Sequence, residues 1–132
     1  DELKEVGYEI SIISTSAPTT SPPVIPQAQT QVRIDMVNWD IAGDKIPVTV
    51  RNTGSVSANI ESISVRKNTA GATWYIDKSS DAMGTINVGA AFVLVWSEAD
   101  SGAPAGFLTS NMVYMFRVTT TTGFYYELVA SS

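Results

Sequence analysis

The sequence predicts an all-β protein, an immunoglobulin-like antiparallel β-sandwich of about eight short strands. Three observations carry that prediction. Apolar residues recur with period 2 along nearly the whole chain of 132 residues. Turn signals built from Gly, Asn, Asp and Thr recur about every 8–12 residues. No segment carries a stripe of period 3.6 long enough for a helix.

The elements follow in order. In Glu5–Ile13, Tyr8, Ile10 and Ile12 share one face and Glu9 and Ser11 the other. Residues 1–14 are therefore expected to hold an N-terminal strand. Residues 15–30 contain Pro18, Pro22, Pro23 and Pro26 among Ser, Thr, Gln and Ala. Proline has no amide proton to give a ladder, so this is expected to be an extended linker or arm. The first strand could then pair within its own sandwich or swap into a neighbour.

The sandwich proper is expected over residues 31–132. Val32–Asp40 alternates through Val32, Ile34 and Met36, after which Val37, Trp39 and Ile41 take over the other phase. That change of phase predicts a bulge near Met36–Val37. Ala42–Asp44 is a turn. Ile46, Val48 and Val50 mark the next core face, and Asn52–Ser55 turns the chain, with Gly54 available for positive φ. Ala58–Lys67 offers Ile60, Ile63 and Val65 to the core, and Thr73–Asp77 is a short strand with Trp74 and Tyr75.

Asp77–Gly89 lacks alternation and reads as a loop, as does Glu98–Gly106. Between them lies Ala91–Trp96, apolar on both phases. One face of a sandwich strand normally meets water, so this stretch is expected to be covered by the linker or a loop of this chain, or by another subunit. Phe92, Leu94 and Trp96 are the candidate subunit contact. Asn111–Thr119 alternates Met112, Tyr114, Phe116 and Val118. Phe124–Ala130 closes the chain, with Tyr125 and Val129 on one face and Phe124, Tyr126 and Leu128 on the other.

Composition narrows function. Hydrophobic residues make up 44% and charged residues 16%, against about 25% charged in an ordinary domain. Ser and Thr together number 29 and supply the missing polarity. Thirteen acids and eight scattered bases leave a net charge of −5, which disfavours nucleic acid and anionic lipid as partners. With so few ion pairs to lose by protonation, the protein is expected to tolerate acid.

The chain has neither Cys nor His. Thiolate chemistry, disulfides, imidazole–metal sites and His-based triads are excluded. Carboxylates remain as acid–base groups: Asp40 with Asp44, Asp77 with Asp81, and Glu98 with Asp100. Asp77–Gly84 has two Asp and two Ser but no closing Glu, so it falls short of a calcium loop and its acids are expected in solvent. Gly102 and Gly106 lack the lysine and the helix of a phosphate loop. Trp39, Trp74 and Trp96 could form a sugar platform, but each stands in or beside a strand, where packing is the usual fate. No Asn-x-Ser/Thr sequon occurs. No catalytic residue, metal or cofactor is implied, and the chain is not expected to be an enzyme.

The segment Ile46–Val65, an alternating strand, then Asn-Thr-Gly-Ser, then a strand of the Ile-x-Ser-Ile-x-Val kind, resembles extracellular domains of archaeal type IV pilin-like proteins. Among these it is most similar to the archaellum stator proteins FlaF and FlaG. The closing hairpin over Thr119–Val129 fits the same plan. The resemblance implies a module on the outer side of the archaeal cell membrane, held there by an upstream hydrophobic helix that this chain does not include. It implies anchoring of the archaellum by binding the surface-layer protein, contact with other archaellum or pilus components, and a homodimer or small homo-oligomer. Two alternatives stay open: the ectodomain of a pilin or archaellin filament subunit, and a carbohydrate-binding β-sandwich of a surface protein.

Overall fold

A computed structural model describes residues 28–132. The expected N-terminal strand over residues 1–14, and all of the proline-rich arm except residues 28–30, lie outside the described residues. Eight strands occupy the described part: β1 (Val32–Val37), β2 (Lys45–Asn52), β3 (Ala58–Lys67), β4 (Tyr75–Asp77), β5 (Gly84–Ile86), β6 (Ala91–Ser97), β7 (Val113–Thr120) and β8 (Tyr125–Ser131). All pairings are antiparallel. One sheet has the order β1-β2-β6. The other has the order β4-β3-β7-β8, with β5 sharing the outer edge of β3 with β4. The two sheets pack as a sandwich, as the periodicity predicts.

Alternation explains the core. Ile46, Val48 and Val50 on β2 are fully buried, as are Tyr114, Phe116 and Val118 on β7 and Trp96 on β6. Burial of each such side chain contributes about 1.5–3 kcal/mol before entropy is counted. On β3 the predicted core residues Ile60, Ile63 and Val65 are buried. The odd step from Ile60 to Ile63 is absorbed by a register shift between Ile60 and Ser62, which puts Ile63 back on the inner face.

The bulge in β1 falls between Ile34 and Met36, close to but before the predicted Met36–Val37. The extra residue is Asp35, so Met36 turns outward, 53% exposed, while Val37 and Trp39 regain the core side. Pro47 sits in the central strand of its sheet without breaking it. Its position faces β1 just past the end of that strand, where its carbonyl accepts the Asn38 N–H at 2.8 Å and no proline N–H is needed.

Two loop readings are corrected. Asp77–Gly89 contains a single 3₁₀ turn, Ser80–Ala82, and strand β5. Glu98–Gly106 begins with one helical turn, α1 (Glu98–Ser101), capped by the Ser97 hydroxyl accepting the Asp100 N–H at 3.1 Å and closed by Gly102 at φ +77°. Such short elements carry no periodicity a sequence reading can catch. The reading of Gly54 also changes. It does not adopt positive φ; it is glycine because a Cβ there would collide with the Gln29 carbonyl and lie 2.7 Å from the Gln31 nitrogen. The Thr53 and Ser55 amides bond the Gln31 and Gln29 carbonyls at 3.0 Å each, extending the β1–β2 pairing past the strand end.

Candidate functional site

The strand flagged by its apolar run, β6, is built in two unlike halves. Its C-terminal half faces the core. Leu94 is 2% exposed and Trp96 is fully buried. The Trp96 indole N–H donates to the Tyr75 carbonyl at 3.0 Å, tying β6 to β4 across the sandwich. Leu94 and Trp96 are therefore core residues of this chain and not available to a second subunit. Of the predicted contact only Phe92 remains on the surface, 51% exposed, joined by Val93 at 56%. Phe92 has the inward phase, and its ring lies beside Gly84, where a Cβ would come within 3.4 Å of it.

The outer edge of β6 is also uneven. Antiparallel pairing sends alternate amides to alternate sides. Ser97 directs its N–H away from β2 and donates it to the Asp77 carboxylate at 3.0 Å. By the same alternation Val93 and Val95 turn their amides away from β2, and no described residue pairs with them there. The residues Ala91–Ser97 carry no charge, no proline and no bulge, the usual guards of a sheet edge.

The end of the sandwich near Ser97 is closed by polar groups that sequence reasoning placed in solvent. Asp77 is fully buried and Glu98 is 5% exposed. Asp77 accepts the Ser79 and Ser97 amides, at 2.8 and 3.0 Å. Glu98 accepts the Leu108 amide at 2.8 Å. The Tyr114 hydroxyl donates to the Phe107 carbonyl at 2.8 Å and accepts the Thr109 amide at 2.9 Å. A strand tyrosine bonded to backbone a few residues upstream is the corner device of immunoglobulin-like sandwiches. The signal for Asp77 was its place directly after Tyr75-Ile76, on a strand and not in a loop.

Among the described residues the carboxylates do not gather into a metal centre. Asp77 and Asp81 part company: Asp77 is spent on backbone amides, while Asp81 lines a shallow groove of about 920 Å³ with Asp40, Asp44 and Asp100. Asp40 holds its own turn, accepting the Gly43 amide at 3.0 Å. Among the described residues no group of three acids is placed to hold a metal ion. Asp35 sits between two arginines, 2.7 Å from each Nε. Hydrogen bonds from Arg51 and then Arg33 hold its carboxyl below the ordinary carboxylate range.

The three tryptophans do not form a platform. Trp39 packs on Tyr114 and Phe116, with ring centroids 5.4 and 5.5 Å away, and Trp96 is in the core. Trp74 lies on the outer face of the larger sheet, with the Arg66 and Arg117 guanidinium carbons 5.0 and 4.6 Å from its ring centroid. A smaller pocket of about 300 Å³ opens at the Ser97 end of the sandwich, lined by Lys67, Thr69, Thr73, Tyr75, Pro104 and Phe107 among others.

No family model matches the chain, and no curated protein matches it. Among solved structures it is similar to the archaellum periplasmic stator protein FlaG from Sulfolobus acidocaldarius, with a TM-score of 0.58 and 12% identity over 77% of this chain and 100% of that one. It is also similar to a chain of the archaellum periplasmic stator protein complex of FlaF and FlaG from the same organism. There the TM-score is 0.57 and the identity 14%, over 86% of this chain and 99% of that one. At such identity the likeness is one of fold, and it agrees with the fold family expected from Ile46–Val65. Among the described residues no helix is long and apolar enough to cross a membrane.

Proposed function

We propose that this chain is a non-catalytic structural module of the archaellum machinery. It works on the outer side of an archaeal membrane and assembles with a partner protein through the bare half of β6. The observation that carries the reading is an edge that no described residue covers, where Phe92 and Val93 are half exposed beside amides with no described partner. An extended segment of a partner laid along such an edge gains main-chain hydrogen bonds and covers apolar side chains at once.

The likeness to FlaG, which spans the whole of that chain, and to a solved complex of FlaF and FlaG supports an assembly role in this machinery. The stator proteins it resembles in fold are structural components, which favours a binding role over catalysis. The partner proposed here is the surface-layer protein, which would let the module anchor the archaellum. In the longer protein that this reading requires, an upstream helix would hold the module at the membrane.

Co-sedimentation with isolated archaeal surface-layer sheets tests it. Saturable binding by the wild type, lost in Val93→Lys while the variant stays folded, is the expected result. No binding by a folded domain overturns the anchoring role and moves the reading to a filament subunit.

A further inference from the structure

The pocket at the Ser97 end of the sandwich is unlike the rest of the surface. Lys67 closes β3, Tyr75 opens β4, and Phe107 lies in the loop after α1, so three separate segments meet there. Phe107, only 6% exposed, packs edge to face against Tyr75 with ring centroids 5.0 Å apart. The Lys67 ammonium stands 5.7 Å from the Phe107 ring centroid. Thr69 and Thr73 line the same space, and among the described residues no side chain bonds their hydroxyls or that of Tyr75. No carboxylate lines it, in a protein with a net charge of −5 whose larger groove is lined by four aspartates.

We propose that this pocket binds one carboxylate-bearing sugar residue, such as a uronic acid at the end of a surface glycan. Each part of the site fits one part of that ligand. The half-buried Tyr75 ring, backed by Phe107, takes the apolar face of a pyranose ring. The threonine and tyrosine hydroxyls exchange hydrogen bonds with ring hydroxyls. The ammonium pairs with the carboxylate, and a charge-assisted bond is about twice as strong as a neutral one. A volume of about 300 Å³ is at the lower limit of ligand sites and admits one residue, not a chain. Trp39, Trp74 and Trp96 play no part, so this is a different sugar site from the one the tryptophans suggested. It is also independent of the β6 edge, whose bare residues lie toward the opposite end of the strand.

Titration by NMR with methyl glucuronide and methyl glucoside tests the assignment on the wild type, Lys67→Met and Thr73→Val. The glucuronide is expected to bind saturably in the millimolar range, perturbing Tyr75, Phe107 and Lys67 resonances. The neutral glucoside is expected to bind about tenfold more weakly, and Lys67→Met to remove that difference while leaving the fold unchanged. Thr73→Val is expected to weaken both sugars alike. Absence of saturable shifts in the wild type, or equal affinity for the two sugars in the wild type, overturns the proposal. Neither result bears on binding to surface-layer sheets through β6, because Val93→Lys leaves this pocket intact.

Discussion

The two halves of β6 share one strand, one pairing partner and one apolar composition, yet only one of them is structural. Leu94 and Trp96 fill the core; Phe92, on the same phase of the same strand, is half in water. The difference lies in what stands opposite. Trp96 meets Phe107 and the Tyr75 carbonyl, whereas the Phe92 ring lies beside Gly84, which has no side chain to cover it. A run such as Ala91–Trp96 states that its residues avoid water. Which of them succeed within the monomer depends on how far the facing sheet extends, and that is a property of distant segments.

Substitution along the strand breaks the comparison most sharply. Trp96→Ala should cost about 3–5 kcal/mol in urea denaturation, because the side chain and its indole hydrogen bond are both lost from a packed core. Phe92→Ala should cost about 1 kcal/mol, since about half of the residue is already in water. Equal losses at the two positions would mean that β6 is uniform after all.

A second contrast concerns acids that the sequence presents as equivalents. Asp77→Ala should cost about 1–3 kcal/mol, stranding the Ser79 and Ser97 amides at the sealed end of β6. Asp81→Ala, in the open groove, should stay within about 0.5 kcal/mol.

Smaller again is the effect of acid on the outer face of the β1–β2 sheet. The folded pKa of Asp35 is lowered by Arg51 and Arg33. The stability it contributes is present above the ordinary carboxylate value of 3.8 and is lost as pH falls through the lowered value. Asp35→Asn should therefore flatten the acid limb of the stability–pH profile slightly, and added salt should shrink the difference. A variant profile steeper than the wild type in acid would contradict this.

Most of the fold was legible because alternation is a direct trace of a half-buried strand. The inner faces of β2, β3, β7 and β8 follow from it residue by residue. Even the odd spacing from Ile60 to Ile63 carried the bulge in β3, once pairing supplied its position. Short elements escaped, because three residues of β5 or four of α1 have no measurable period. The buried roles of Asp77 and Glu98 escaped for another reason. A carboxylate bonded to backbone amides leaves no mark in composition, since its partners are groups every residue has. Of the predicted contact, Phe92 survives on the surface, while Leu94 and Trp96 belong to the core and Val93 was not singled out. An apolar residue on the solvent phase of an edge strand was the available signal.

Hydrogen exchange of the β6 amides, measured on the domain alone and bound to surface-layer sheets, tests the central claim most directly. Val93 and Val95 should exchange fast in the free domain and become protected on binding, while Leu94 and Trp96, already bonded to β2, change little. Protection that appears elsewhere, with Val93 and Val95 still exchanging fast in the complex, would contradict the account.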